Sequence, residues 1–425
     1  MTEKLLQFIW KYRYFNHQEL ELVTGEKLII EYPGEENKHQ GPDFINARIR
    51  INGNFWTGSV ELHLFSSGWV KHSHADDDNY RNVMLHVVWK QDLLDIKRNI
   101  PQLELCHRIP RTMLETFSGW MHKPSFIPCE LSAAKTGAGS WEIWVSSLLI
   151  RRLDRRMDKM KESFQKNQYH WEEQLWWMIA ANFGNPVNAA AFESIARSIP
   201  FSLLAKHRRQ FIQLEALFIG QANLLDKDFR DPYPRMLKRE FIFLKKKYGL
   251  HKIYEPVHFL RMRPENFPCI RLSQLASLCT EISGLFAWIL ECKTLPLLRK
   301  KLMVRANDYW YNHFVFEKIS PFREKMLGSD MCNNIIINSI IPILYTYGKT
   351  IPDPVILEKA VCWMEEIPAE QNRLMEEWKK IGVPVKKAAG SQALTELKKH
   401  FCDQRKCLEC DIGKQLLLPE VIPKG

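Results

Sequence analysis

Gly41-Pro42-Asp43-Phe44 and Val60-Glu61-Leu62-His63 set an aspartate, a glutamate and a histidine on two neighbouring apolar-patterned stretches. Together they make a donor set for a hard divalent cation. Residues 44–51 alternate apolar with other side chains, Asn52-Gly53-Asn54 carries a turn signal, and residues 55–65 alternate again, which predicts a β-hairpin. Glu61 and His63, two positions apart on a strand, face one way, and Asp43 stands at the mouth of the neighbouring strand. Two carboxylates holding Mg²⁺ or Mn²⁺ leave coordination positions for water and a phosphate oxygen. The chemistry this points to is attack of water on a phosphoester.

Such a hairpin needs elements to hold it. Residues 5–22 form an apolar-periodic segment, read as a first helix, with Glu19 and Glu21 near its end where either would complete the metal shell. Lys27–Tyr32 reads as a short strand closed by Pro33-Gly34. After the hairpin, Asp76–Arg81 reads as the opening of a helix and Val83–Trp89 as a buried strand, with His86 a core residue of it. The predicted order is helix, three strands, helix, strand.

Pro42-Asp43 and Glu61-Leu62-His63, in that order of elements, resemble the signature of the PD-(D/E)XK nuclease superfamily over about the first hundred residues. The resemblance implies an α+β core, a small restriction-endonuclease-like mixed sheet with flanking helices. It also implies hydrolysis of phosphodiester bonds of DNA or RNA, with Asp43 and Glu61 on the metal. His63 departs from the pattern, since the superfamily usually has lysine there. A neutral imidazole would act as ligand or general base, or Lys71 or Lys90 would supply the cation. The whole chain also resembles an uncharacterised bacterial family through Gly41–Phe44, Val60–His63 and the stretch from His72 to Trp89.

His72-Ser73-His74-Ala75-Asp76-Asp77-Asp78 concentrates two histidines and three carboxylates, which makes His72 and His74 further candidate ligands. The H-x-H-x-D part resembles the opening of metallo-β-lactamase-type hydrolases, but Asp77 stands where that motif continues with histidine. The alternative is an exposed turn whose aspartates cap the next helix.

A chain of 425 residues with 45% hydrophobic content is globular and exceeds one core. The organisation read from it is a nuclease-like domain over residues 1–130, a larger all-α domain over 140–395, and a Cys-rich tail over 396–425. Residues 141–166 read as a long amphipathic helix with a basic side, followed by helices over 173–183, 187–195, 200–217, 235–248 and 272–288. A net charge of +11 favours a polyanionic partner, nucleic acid above all, and Arg261, Arg263 and Arg271 around two prolines are candidates for phosphate contact. No window approaches the roughly 18 apolar residues of a membrane span, and no secretory signal opens the chain, so a cytoplasmic location is expected.

Ten cysteines without a secretory signal are expected to be reduced thiols. Cys402, Cys407 and Cys410, in C-x4-C-x2-C spacing with His400 just before them, have the pattern of a structural metal site. Zinc or an iron–sulfur cluster would fit, with His400, Cys106 or Cys129 closing the ligand set. The working expectation is a Mg²⁺- or Mn²⁺-dependent nuclease. The alternative is a non-catalytic nucleic-acid-binding or scaffold protein with a degenerate nuclease fold, and oligomeric state is not legible.

Overall fold

The computed structural model describes residues 1–418 apart from 73–76, 94–99, 135, 169, 261, 282–283 and 384. His74, Asp76 and Arg261, singled out above, lie outside the described residues. The chain is α+β, a mixed sheet near the N-terminus followed by a larger helical region. It divides into two compact units. One is Met1–Val145 with Asn372–Pro384 and Leu394–Gly425; the other is Ser146–Gln371 with Val385–Ala393.

In the first unit, α1 (Glu3–Lys11) begins at Thr2, whose hydroxyl oxygen accepts the N–H of Leu5 at 3.2 Å. It buries Leu5, Leu6, Phe8, Ile9 and Trp10. Nine residues are too few for a stable isolated helix, and about 1.5–3 kcal/mol for each buried large side chain is what holds it. The helix stops far short of residue 22. Arg13 turns left-handed at φ 50°, and Glu19 does so again at φ 45° in the loop after it.

The sheet is built from β1 (Leu28–Tyr32), β2 (Glu35–Glu36), β3 (Phe44–Ile51), β4 (Asn54–Phe65), β5 (Val83–Lys90) and β6 (Gln102–Glu104). Its order is β1-β3-β4-β5-β6, with β2 paired to β3. β1, β3 and β4 run antiparallel in turn, and β4, β5 and β6 run parallel. Between β4 and β5 lie α2 (Gly68–Lys71) and one 3-10 turn, Asp78–Tyr80. The hairpin tip is Asn52-Gly53, with φ 50° and 83°, and Ile51 pairs with Asn54 across it. Positive φ at both central positions is what a type I′ hairpin turn demands. The predicted alternation in β4 holds only partly: Gly58 to His63 is buried without a break, because a strand covered on both faces has no solvent side.

Helices α3 (Arg111–His122) and α4 (Glu130–Ala133) come next in the same unit. The segment Leu394–Gly425 is grouped with this unit. Helix Asp411–Leu417 packs on α3 and α4, and buried Trp378 meets the rings of Phe126 and Trp141 at 5.3 and 6.1 Å.

The second unit is helical. Its longest helix, Ala138–Lys166, begins in the first unit and buries Leu148, Leu149, Leu153, Met160 and Phe164 within the second. Its basic side is partly turned inward: Arg156 donates to the Ile337 carbonyl at 3.1 Å and to Asn338 Oδ1 at 2.7 Å, and Arg152 donates to Gln392. The helix expected over 200–217 is two, Phe201–His207 and Phe211–Gln221. Among the described residues, no single helix is long and apolar enough to cross a membrane.

Candidate functional site

Where β3 begins, its pairing with β4 slips by one residue between Phe44 and Ala47. The extra residue is Asn46, at φ 58°, a conformation asparagine tolerates better than most side chains. This bulge sits beside Asp43. The aspartate's Oδ2 accepts the N–H of Leu62 at 3.1 Å and its Oδ1 accepts Gln7 Nε2 at 2.8 Å, while its own N–H donates to Glu61 Oε2 at 3.0 Å. Asp43 and Glu61 thus meet across the hairpin, as the spacing predicts. The helical contribution comes from a different place than expected. Glu19 and Glu21 are exposed on the loop after α1, and the Glu19 carbonyl accepts from Arg108 at 3.0 Å. Glu3 and Gln7, on α1, are the residues that reach the acids.

His63 shares the buried face with Glu61, its Nε2 3.7 Å from Glu61 Oε1. It is the centre of a line of three imidazoles. His63 Nδ1 lies 2.9 Å from His86 Nε2, and His63 Nε2 lies 3.3 Å from His72 Nδ1. His86 comes from β5, where register sets it opposite Glu61, and is fully buried; His72 lies just after α2 and is exposed. The line therefore runs from core to solvent. α2 can lie this close because Gly68 has no side chain: a Cβ there would stand 2.8 Å from the His63 ring. Trp69 is buried beside it and its ring centre lies 5.3 Å from that of His86.

Electrostatics in the pocket are set by burial and by acids. Burial pushes the Glu61 carboxyl up to about 8, and the Asp43 charge adds to the effect. Burial raises Asp43 to about 6 against the hydrogen bonds from Gln7 and Leu62, with Glu3 and Glu36 pushing further upward. The Tyr80 hydroxyl is raised to about 12, by burial first and then by Glu61, Asp43 and Asp77. Every charge named here is negative. Two buried oxygen-donor carboxylates fit a hard divalent cation, which would offset the cost of holding their charges away from water.

Residues 3–373 match the model of a family described as a protein of unknown function, DUF2851. The chain belongs to that family. The match takes in α1, the whole sheet and the helices as far as Arg373, and it ends before Cys402. No curated protein and no solved structure matches this DUF2851 chain.

The remaining candidates of the DUF2851 chain stand on other elements. Lys71 is exposed at the end of α2, and Lys90 lies at the far end of β5, opposite Phe65, where its charge acts on Cys106. Arg263 is exposed, whereas Arg271 is buried in the second unit and donates to Gln274 Oε1 at 2.8 Å and to Asn266 Oδ1. Of the two described arginines, Arg263 alone presents its side chain to solvent. Cys402, Cys407 and Cys410 sit in the first unit, and the ring of His400 faces Glu396 at 3.8 Å. Glu104, Cys106 and His107 form another close group, their ligand atoms within 4.8 Å of one another, in which Cys106 Sγ donates to Glu104 Oε1 at 2.7 Å. Gln7, Glu3 and Gly68 are the contributors that sequence reasoning missed; His86, read as a core residue, is fully buried, and its contact with His63 is what that reading left out.

Proposed function

We propose that this protein is a Mg²⁺- or Mn²⁺-dependent phosphodiesterase acting on nucleic acid, a nuclease of PD-(D/E)XK type. The observation that carries the reading is the cross-bonding at the two acids, the Asp43 N–H donating to the Glu61 carboxylate and the Leu62 N–H to that of Asp43, with His63 3.7 Å from Glu61. The order of elements supports it: a helix, an antiparallel β1-β3-β4 meander, a short helical crossover and a parallel β5.

Asp43 and Glu61 would hold the ion. When bound, it would supply Lewis acidity toward a phosphate oxygen and toward the attacking water. Gln7 and the Leu62 N–H fix the aspartate, so little reorganisation accompanies binding. His63 takes the place of the superfamily's lysine, positioned by His86 behind it. A proton accepted on this imidazole line has an outlet through exposed His72. The partner is nucleic acid and the location cytoplasmic.

A second reading is favoured by one observation: both ring nitrogens of His63 are engaged by imidazoles, at the position where the superfamily carries a lysine ammonium. On that reading the protein binds nucleic acid or acts as a scaffold without cutting. Incubation of the full chain with single- and double-stranded DNA and RNA, with Mg²⁺ or Mn²⁺ and then with chelator, separates the two. Metal-dependent cleavage lost in Asp43→Ala and Glu61→Ala supports the nuclease; intact binding with no cleavage under either metal overturns it.

A further inference from the structure

The end of β6 carries a donor set that stands independently of the nuclease reading. Glu104 is the last residue of that strand, and Cys106 follows two positions on, a spacing that keeps both on one side of extended chain. Leu105 between them is buried, and its N–H donates to the Val88 carbonyl at 3.0 Å, which carries the bonding to β5 one residue past the strand. Cys106 and His107 then occupy the two central positions of a turn closed by the Arg108 N–H on the Leu105 carbonyl at 3.0 Å. The Arg108 guanidinium donates to the carbonyls of Gln18 and Glu19, both at 3.0 Å, and its own carbonyl accepts the Asn16 N–H at 2.8 Å. The turn is thereby fastened to the loop after α1.

These constraints bring a carboxylate oxygen, a thiol sulfur and an imidazole nitrogen within 4.8 Å of one another. Two of the three already share a proton: Cys106 Sγ donates to Glu104 Oε1 at 2.7 Å. Glu104 Oε2 accepts the Gln91 N–H at 3.3 Å, which orients the carboxylate from the end of β5. Burial first, and then the Glu104 carboxylate, raise the thiol to about 11, with Lys90 acting against them. A proton therefore occupies the space between sulfur and oxygen at neutral pH, and a divalent ion entering that space takes its place. Around a tetrahedral Zn²⁺, with Zn–S about 2.3 Å and bonds to nitrogen and oxygen about 2.0–2.1 Å, such ligand atoms stand roughly 3.3–3.6 Å apart. Adjustment of side chains alone closes the set. His107 is exposed and lines an open cavity of about 580 Å³ with Arg13, Tyr14, Asn16 and Arg108, which gives an ion a path from solvent.

We propose that Glu104, Cys106 and His107 bind one Zn²⁺, with the fourth position of the tetrahedron left to water. The sulfur sets the class of metal: thiolate and imidazole donors suit zinc, whereas the oxygen pair of Asp43 and Glu61 suits Mg²⁺ or Mn²⁺. On binding, the S–H bond of Cys106 breaks, a Zn–S bond forms and the proton passes to solvent.

The test uses the full chain, reduced and freed of metal with chelator. Zn²⁺ bound per chain is counted by equilibrium dialysis, and alkylation of Cys106 is followed by peptide mass spectrometry, which reads this thiol apart from the other cysteines. Zn²⁺ should slow alkylation of Cys106 by roughly tenfold or more, because the metal holds the thiolate that would react, and Mg²⁺ should leave the rate unchanged. His107→Ala should bind one Zn²⁺ fewer than the wild type and lose the protection; the residue is exposed, so the fold should survive, as circular dichroism would show. Cys362→Ser, which removes an exposed thiol of the second unit, should bind as much zinc as the wild type. Equal alkylation of Cys106 with and without Zn²⁺ overturns the site. Protection or full zinc content surviving in His107→Ala overturns the ligand set, and equal protection by Mg²⁺ overturns the class of metal. No arm reads cleavage, so failure here leaves the nuclease reading where it stands.

Discussion

Asp43 and Glu61 are each positioned by the strand that carries the other: the Asp43 N–H donates to Glu61 Oε2 at 3.0 Å, and the Leu62 N–H, next to Glu61, donates to Asp43 Oδ2 at 3.1 Å. Neither carboxylate is held by its own strand alone, so a change at one disturbs the placement of the other.

Asp43→Asn and Glu61→Gln should each reduce metal-dependent cleavage by on the order of 10²–10³ or more, the range for losing one preorganised electrostatic contributor. The double variant should fall little further than either single, because the two act as a unit. Initial rates at saturating Mn²⁺ would measure this, with circular dichroism to show that the sheet is intact.

Stability without metal should decline as pH rises. Both carboxyls are raised in the folded protein, Asp43 from 3.8 to about 6 and Glu61 from 4.5 to about 8, so the native state holds protons that the unfolded chain has released. The stability this represents is full below the unfolded values and is lost as pH climbs to the folded ones. Urea midpoints in the presence of chelator should therefore fall between about pH 4.5 and 8, and Glu61→Gln should flatten the decline. A wild-type midpoint rising with pH across that window, relative to Glu61→Gln, would contradict the assignment.

Gly68→Ala should destabilise by about 1–3 kcal/mol, since the new methyl meets the His63 ring at 2.8 Å and either the ring or α2 must move. Gly119→Ala, in α3 with nothing within 4 Å of the added methyl, should instead stabilise by roughly 0.5–1 kcal/mol. Thermal unfolding of the pair tests the crowding argument within one unit of the chain, and only Gly68→Ala should lower cleavage.

Arg271→Ala should lower stability by about 1–3 kcal/mol while leaving nucleic-acid affinity and its salt dependence unchanged, because the guanidinium is buried against Gln274 and Asn266. Arg263→Ala, exposed, should have the opposite profile if that loop touches phosphate. Filter binding at two salt concentrations, beside urea unfolding, distinguishes them.

The hairpin was legible because its signals are local: alternation in residues 44–51, Asn-Gly at the turn, and an acid at a fixed place on each strand. The features that could not be read this way depended on events between elements. The first helix ends at Lys11 because Arg13 turns left-handed, which no break in the apolar pattern announces, and this moved the helical contribution from Glu19 to Glu3 and Gln7. His86 joins His63 only because β5 runs parallel to β4 in a register that sets it opposite Glu61.

The unit that holds the carboxylates is woven from both ends of the sequence, residues 1–145 and 394 onward, with 146–371 between them. During synthesis the sheet emerges on the order of tens of seconds before its last helix does. Until then the apolar sides of α3 and α4 stand uncovered, so the ribosome-bound intermediate is where a chaperone would be needed, and a stop codon just upstream of Cys402 would leave that exposure permanent.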